Sequence, residues 1–111
     1  MNPDFLRAAL EPVLLETIAG GASYGYEIAR AVHEASDGKL LAQEGTLYPA
    51  LHRLEKQGLL SAKWKQSAEG RRRKHYTLTA TGRKRLAALR TQWQEFAASV
   101  NQILGLTFHY A

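Results

Sequence analysis

The strongest constraint on folding lies between residues 60 and 78, where side-chain polarity alternates twice around a turn. Leu60, Ala62 and Trp64 alternate with Ser61, Lys63 and Lys65, and after Ser67, Ala68, Glu69 and Gly70 the alternation resumes through His75, Tyr76, Thr77 and Leu78. A period of two on either side of a glycine-containing break predicts a two-stranded hairpin. Near its loop stand four consecutive cations, Arg71, Arg72, Arg73 and Lys74, directly after Gly70. A basic run by itself is ordinarily a solvated face or a disordered tail. Held on a hairpin, the same charges keep a fixed distance from whatever element lies beside it.

The chain before the hairpin reads as helical. Phe5, Leu6, Ala9, Leu10, Val13, Leu14 and Ile18 recur at spacings of three and four, predicting an amphipathic helix from Asp4 to Ile18. Pro12 lies deep inside this pattern and removes one backbone bond, which predicts a bend or a break. Gly20 and Gly21 end the element, and Ser23 is the expected cap of a second helix over Tyr24 to Ala35, with Tyr26, Ile28, Ala29 and Val32 apolar. Residues 44 to 58, EGTLYPALHRLEKQG, predict a third short helix. Pro49 places its start, with Thr46 as cap, because only first-turn amides can be missing without breaking a bond. Leu47, Leu51 and Leu54 then share one side, while Thr46, Pro49, His52, Arg53 and Lys56 share the other with Tyr48 on the flank. After the hairpin, Thr79 to Leu104 predicts a helix about 39 Å long, ended by Gly105 and longer than so small a domain can cover.

Composition narrows the classes of function. At 111 residues and 45% hydrophobic content, one globular domain with an appended element is expected. The division falls at residues 1–78 and 79–111. Cysteine is absent, so no disulfide framework or thiolate chemistry is available. No apolar run approaches the roughly 20 residues that span a bilayer, and the first residues carry acids rather than a cationic signal region. A cytoplasmic protein with no membrane partner is expected. The net charge of +5 is unevenly spread: up to Glu44 seven acids face three bases, whereas beyond it three acids face twelve Lys and Arg. Such asymmetry points to a local anion-binding surface, and nucleic acid is the commonest large anion. Catalysis finds no support. His33, His52, His75 and His109 lack metal-ligand spacing, and no nucleophile, acid–base pair or phosphate loop stands out, so no metal or cofactor is expected.

Three helices followed by a two-stranded wing predict a winged helix-turn-helix, mainly α with a small β-hairpin, whose third helix reads the major groove of double-stranded DNA. Arg53 is the candidate for a base edge, its fork matching guanine, and Lys56 for a phosphate. Gly70 allows a tight turn or close approach, and two or three of Arg71, Arg72, Arg73 and Lys74 are expected to reach DNA because alternation turns about half away. A winged helix serving only as a protein-interaction module, without specific DNA binding, is the alternative; a MarR-type regulator would share the mechanism on a longer chain.

Three blocks carry a resemblance: YGYEI at 24–28, GTLYPALHRLEKQGLL at 45–60 and GRRRKHYTLTATGRKRL at 70–86. In order and spacing they resemble the PadR family of bacterial transcriptional regulators, over about half the chain. Many members carry a proline in the basic wing where this chain has Arg72, which suggests a more flexible and more cationic wing. The resemblance implies a homodimeric repressor of the family's short form, with the long C-terminal helix making the dimer. It also implies that Tyr48 and its surroundings face DNA, and Tyr24 of the first block joins the candidate contacts.

Leu86, Leu89, Trp93, Phe96, Val100 and Ile103 form a heptad-like seam that two copies could bury. The alternatives are a stripe folded back on the first helix of its own chain, or one packed on the partner's first helix. A two-fold dimer would set its reader helices about 34–36 Å apart and predicts an inverted-repeat operator. Trp93, with Phe96 beside it, is either core or a platform for a small aromatic or phenolic effector. A tryptophan at this place sandwiches flat aromatic drugs in a drug-sensing member of the family.

Overall fold

The computed structural model describes residues 1–106; the last five residues, His109 among them, lie outside the described part. Helix α1 (Pro3–Ala19) begins ahead of Asp4, because Asn2 caps it: the Asp4 amide donates to Asn2 Oδ1 at 2.9 Å. Pro3 occupies the first turn, where a missing N–H leaves no bond unmade. The break expected at Pro12 does not occur. One continuous helix passes through it, and Ala8, whose carbonyl loses its donor, is exposed, so water can take that bond. Leu6, Leu10, Leu14, Leu15 and Ile18 are buried, while Phe5 points out.

Helix α2 (Gly25–Ala35) is capped by Tyr24 rather than by Ser23. Glu27 instead reaches back to accept the amide of Ser23, the residue before the cap, at 2.7 Å. Ile28 and Val32 are buried, but Tyr26, expected on the apolar side, is exposed. Helix α3 (Glu44–Lys56) starts two residues before Thr46. The Gln43 carbonyl accepts the amides of Thr46 and Leu47 at 3.0 and 2.8 Å, so Thr46 is helical and Pro49 sits in the second turn. Gly45, the acceptor Pro49 leaves behind, is exposed with open space beside it, which makes the loss tolerable.

Strands β1 (Leu60–Gln66) and β2 (Arg72–Leu78) pair antiparallel, with Leu60 opposite Leu78, Ala62 opposite Tyr76 and Trp64 opposite Lys74. The turn closes through the Ser67 amide on the Arg71 carbonyl at 2.7 Å, with Gly70 at φ 83°. Most of the basic run therefore lies along β2, and only Arg71 stands in the turn. The far edge of β2 is tied to the segment before α2 by the Tyr76 amide on the Ser23 carbonyl at 2.8 Å.

All these elements share one core, in which Leu14, Leu15, Ile28, Leu47, Leu51 and Leu54 are fully enclosed. Each such side chain contributes about 1.5–3 kcal/mol relative to exposure. Helix α4 (Ala80–Leu104) is capped by Thr79, whose Oγ accepts the Gly82 amide at 2.9 Å. It ends as expected at Gly105, left-handed at φ 74°, with the Leu106 amide on the Asn101 carbonyl at 2.7 Å. Its first turns belong to the core: Leu86 is buried and Leu89 packs against the cluster. Two ion pairs join it to α1, Arg85 to Glu11 at 2.8 Å and Arg90 to Glu16. Beyond them Trp93, Phe96, Ile103 and Leu104 are exposed, so the seam divides into a half satisfied within the chain and a half left open.

Candidate nucleic-acid interface

The leucine side of α3 is locked into the core, and this fixes what its other side presents. Tyr48, Pro49, His52, Arg53 and Lys56 are exposed and Thr46 is half-buried. Arg53 and Lys56 lie in the last turn, where cations complement the helix dipole, and neither is in an ion pair among the described residues.

The hairpin stands beside α3 across a cleft of about 560 Å³, walled by Tyr24 and Tyr48 on one side and by Trp64, Arg72, Arg73 and Tyr76 on the other. Tyr48 lies directly on the backbone of α2. A Cβ at Gly25 would come within 2.5 Å of its hydroxyl oxygen, so glycine there is what lets the ring settle.

The wing's cations occupy four different environments. Arg71 is exposed at the turn. The Arg72 guanidinium lies over the Trp64 ring at 5.3 Å, and that of Arg73 over Tyr24 at 4.4 Å. Lys74 Nζ donates to Glu55 Oε1 of α3 at 2.7 Å, with both side chains about 30% exposed at 27% and 31%. Strand alternation accounts for the division. Arg73 and His75 turn toward Ser23 and Tyr24, with His75 Nδ1 2.8 Å from Ser23 Oγ, while Arg72, Lys74 and Tyr76 take the opposite face. The Lys74 charge is thus met by a carboxylate within the chain, and this side chain braces the wing against α3.

The brace has a pH signature. The hydrogen bond that Lys74 donates to Glu55 is the main cause that holds its ammonium above its usual value, and burial pushes the Tyr76 phenol up. A raised lysine pKa gives stability that is complete below the unfolded value and lost as pH rises through the folded one. A phenol kept neutral by the fold loses stability in the same direction, because the unfolded chain releases its proton first. Urea midpoints are therefore expected to fall above about pH 10. Lys74→Met should lose the lysine share of that slope, and a midpoint flat to about pH 11 would remove this account of the brace.

Sequence reading did not single out Glu55, Gly25 or Trp64. Trp64 carried a signal in its place on the alternating strand, but pairing it with Arg72, or Lys74 with Glu55, needs the hairpin register, which the ambiguous turn hid.

Three helices bearing an open cationic face beside a two-stranded wing define a winged helix-turn-helix protein, the class whose third helix enters DNA. The chain belongs to the Transcriptional regulator PadR-like family, which it matches over residues 14–88. It is 35% identical over 108 residues to a transcriptional regulator of Mycobacterium tuberculosis, covering 97% of this chain and 94% of that one. Among solved structures, a transcriptional regulator from Clostridium thermocellum superposes with TM-score 0.81 at 29% identity, over 89% of this chain and 96% of the other. A PadR-like transcription factor from Bacteroides fragilis does so with TM-score 0.73 at 35% identity, over 90% and 94%. The protein is a transcriptional regulator, in a family of regulators and not of enzymes.

Proposed function

We propose that this protein is a cytoplasmic repressor that binds an inverted-repeat operator in double-stranded DNA as a homodimer and is released by a small aromatic or phenolic effector. One observation carries the reading: α3 turns the cations Arg53 and Lys56 to solvent, and Tyr48 of the same helix shares a cleft with Arg71, Arg72 and Arg73 of the wing. Thr46, Tyr48, Pro49 and His52 complete the reader face, and Tyr24 and Gly70 flank the phosphate path. Residues 1–78 form the DNA-binding unit, to which α4 lends Gly82 and Leu86. Residues 79–111 make the dimer through the open half of the seam, where Trp93, Phe96, Val100 and Ile103 await a second copy and Leu89 borders it. Among the described residues no helix is long and apolar enough to cross a membrane.

Selection of bound duplexes from a random pool tests this directly and is expected to return two inverted half-sites about one turn apart. Arg53→Ala should relax base preference at one position and cost about 1–3 kcal/mol, while Arg72→Ala weakens all sequences alike. Equal effects of both on every sequence would overturn the reader assignment, and indifference to DNA of any sequence would favour the interaction module.

Our reading puts the effector beside Trp93 and Phe96, whose ring centroids are 5.7 Å apart. Trp93 also borders an apolar groove of about 740 Å³ between α1, the end of α2 and α4. Aromatic candidates should quench the emission of the natural protein but not of Trp93→Phe, in which Trp64 alone emits. No quenching by any of them would leave Trp93 a packing residue.

A further inference from the structure

The hairpin face that carries Leu60, Ala62 and Trp64 passes from the core to solvent as it leaves the body. Leu60 is 2% exposed and Tyr76 5%, whereas Trp64 is 59% exposed. A strand needs no indole at that point to hold the hairpin: the residue directly opposite is Lys74, whose ammonium is engaged by Glu55. A lone exposed aromatic is ordinary, but Trp64 lines one cleft with Tyr24, Tyr26 and Tyr48, a cluster of aromatics whose burial against a partner offers much contact area.

Two further observations say what the contact is. Arg72 lies on the face of Trp64 at 5.3 Å, an arrangement that orders a guanidinium while leaving its N–H edge free for acceptors. Trp64 also shares its cleft with Tyr48 of α3. A strand of duplex leaving the groove occupied by α3 would pass through that cleft toward the wing, bringing alternating sugars and phosphates past an indole and a cation.

Building on the DNA-binding reading above, we infer that Trp64 is itself a DNA-contacting residue, its indole packed on the deoxyribose–phosphate strand that borders the minor groove while it presents Arg72 to a neighbouring phosphate. The indole adds apolar contact and no charge, so its contribution is independent of base sequence and of salt.

In Trp93→Phe, where Trp64 is the one remaining tryptophan, titration with a selected, dye-labelled duplex should change Trp64 emission in step with the anisotropy of the dye. In the natural protein, ultraviolet irradiation should crosslink Trp64 to an azidophenacyl group carried on a backbone phosphorothioate just outside a half-site. Trp64→Ala is expected to weaken selected and unrelated duplexes alike, by about tenfold, with the slope of log K against log salt kept. Arg72→Ala should flatten that slope by about 0.9, and Trp64→Phe should recover part of the affinity. Unchanged emission and no crosslink while anisotropy reports saturation would overturn the role of Trp64 and leave the DNA reading standing. Failure of the natural protein to bind any duplex would overturn the DNA reading itself.

Discussion

Gly82→Ala is expected to lower the unfolding free energy by about 3 kcal/mol, the upper end of the usual cost of overpacking. In an ordinary helix the same change stabilises by up to about 1 kcal/mol, so the sign alone is diagnostic. Gly82 is buried where α4 meets the start of β1 and the end of β2, and a Cβ there would overlap the Leu59 carbonyl oxygen while lying 3.0 Å from its carbon and from Leu78 Cδ1. That carbonyl cannot yield cheaply, because it already accepts the Thr79 amide and the Thr79 hydroxyl, both at 3.1 Å. Urea denaturation checks the expectation, with Gly45→Ala as comparison: it adds a methyl to a helical glycine with open space around it and should not destabilise. A higher midpoint for Gly82→Ala would show that α4 does not approach Leu59 this closely.

Replacing Phe96 and Ile103 together with glutamate is expected to abolish the proposed dimer and to weaken operator binding by about 10²–10⁴-fold, the advantage gained by linking two half-site contacts. Both side chains are exposed within the chain, at 59% and 83%, so the fold of a single copy should survive the change. Light scattering at micromolar concentration, a circular dichroism spectrum and operator titration together decide the matter. A folded variant that still runs as a dimer would show that the open half of the seam is not where two copies meet.

How far the sequence could be read depended on whether a pattern was local. The Leu47, Leu51 and Leu54 stripe, the strand alternation and Gly105 rest on side-chain period or a single backbone preference, and each stands in the structure where expected. The two interior prolines misled because the cost of a missing amide depends on where the orphaned carbonyl points. Ala8 and Gly45 are both exposed, which the sequence does not state. Tyr26 matched the apolar period yet faces water, since α2 is too short to bury more than one narrow stripe. Of the basic run, position along the chain was readable, but the division of labour was not. Glu55 and Tyr24, which engage Lys74 and Arg73, are brought to them only by tertiary packing.

The pairs Glu11–Arg85 and Glu16–Arg90 are exposed enough that each adds little to stability, but they are spaced five residues apart on both helices. Two fastenings define a direction where one would define only a point. The 25 residues of α4 thereby become a rigid arm clamped to the DNA-reading body. Beyond Arg90 the arm runs about 21 Å, so a swing of roughly 10° carries its free end some 3–4 Å, about one base-pair step along a duplex. In the proposed dimer, a modest change in the angle at which two such arms cross would be enough to put a pair of reader helices out of step with their half-sites.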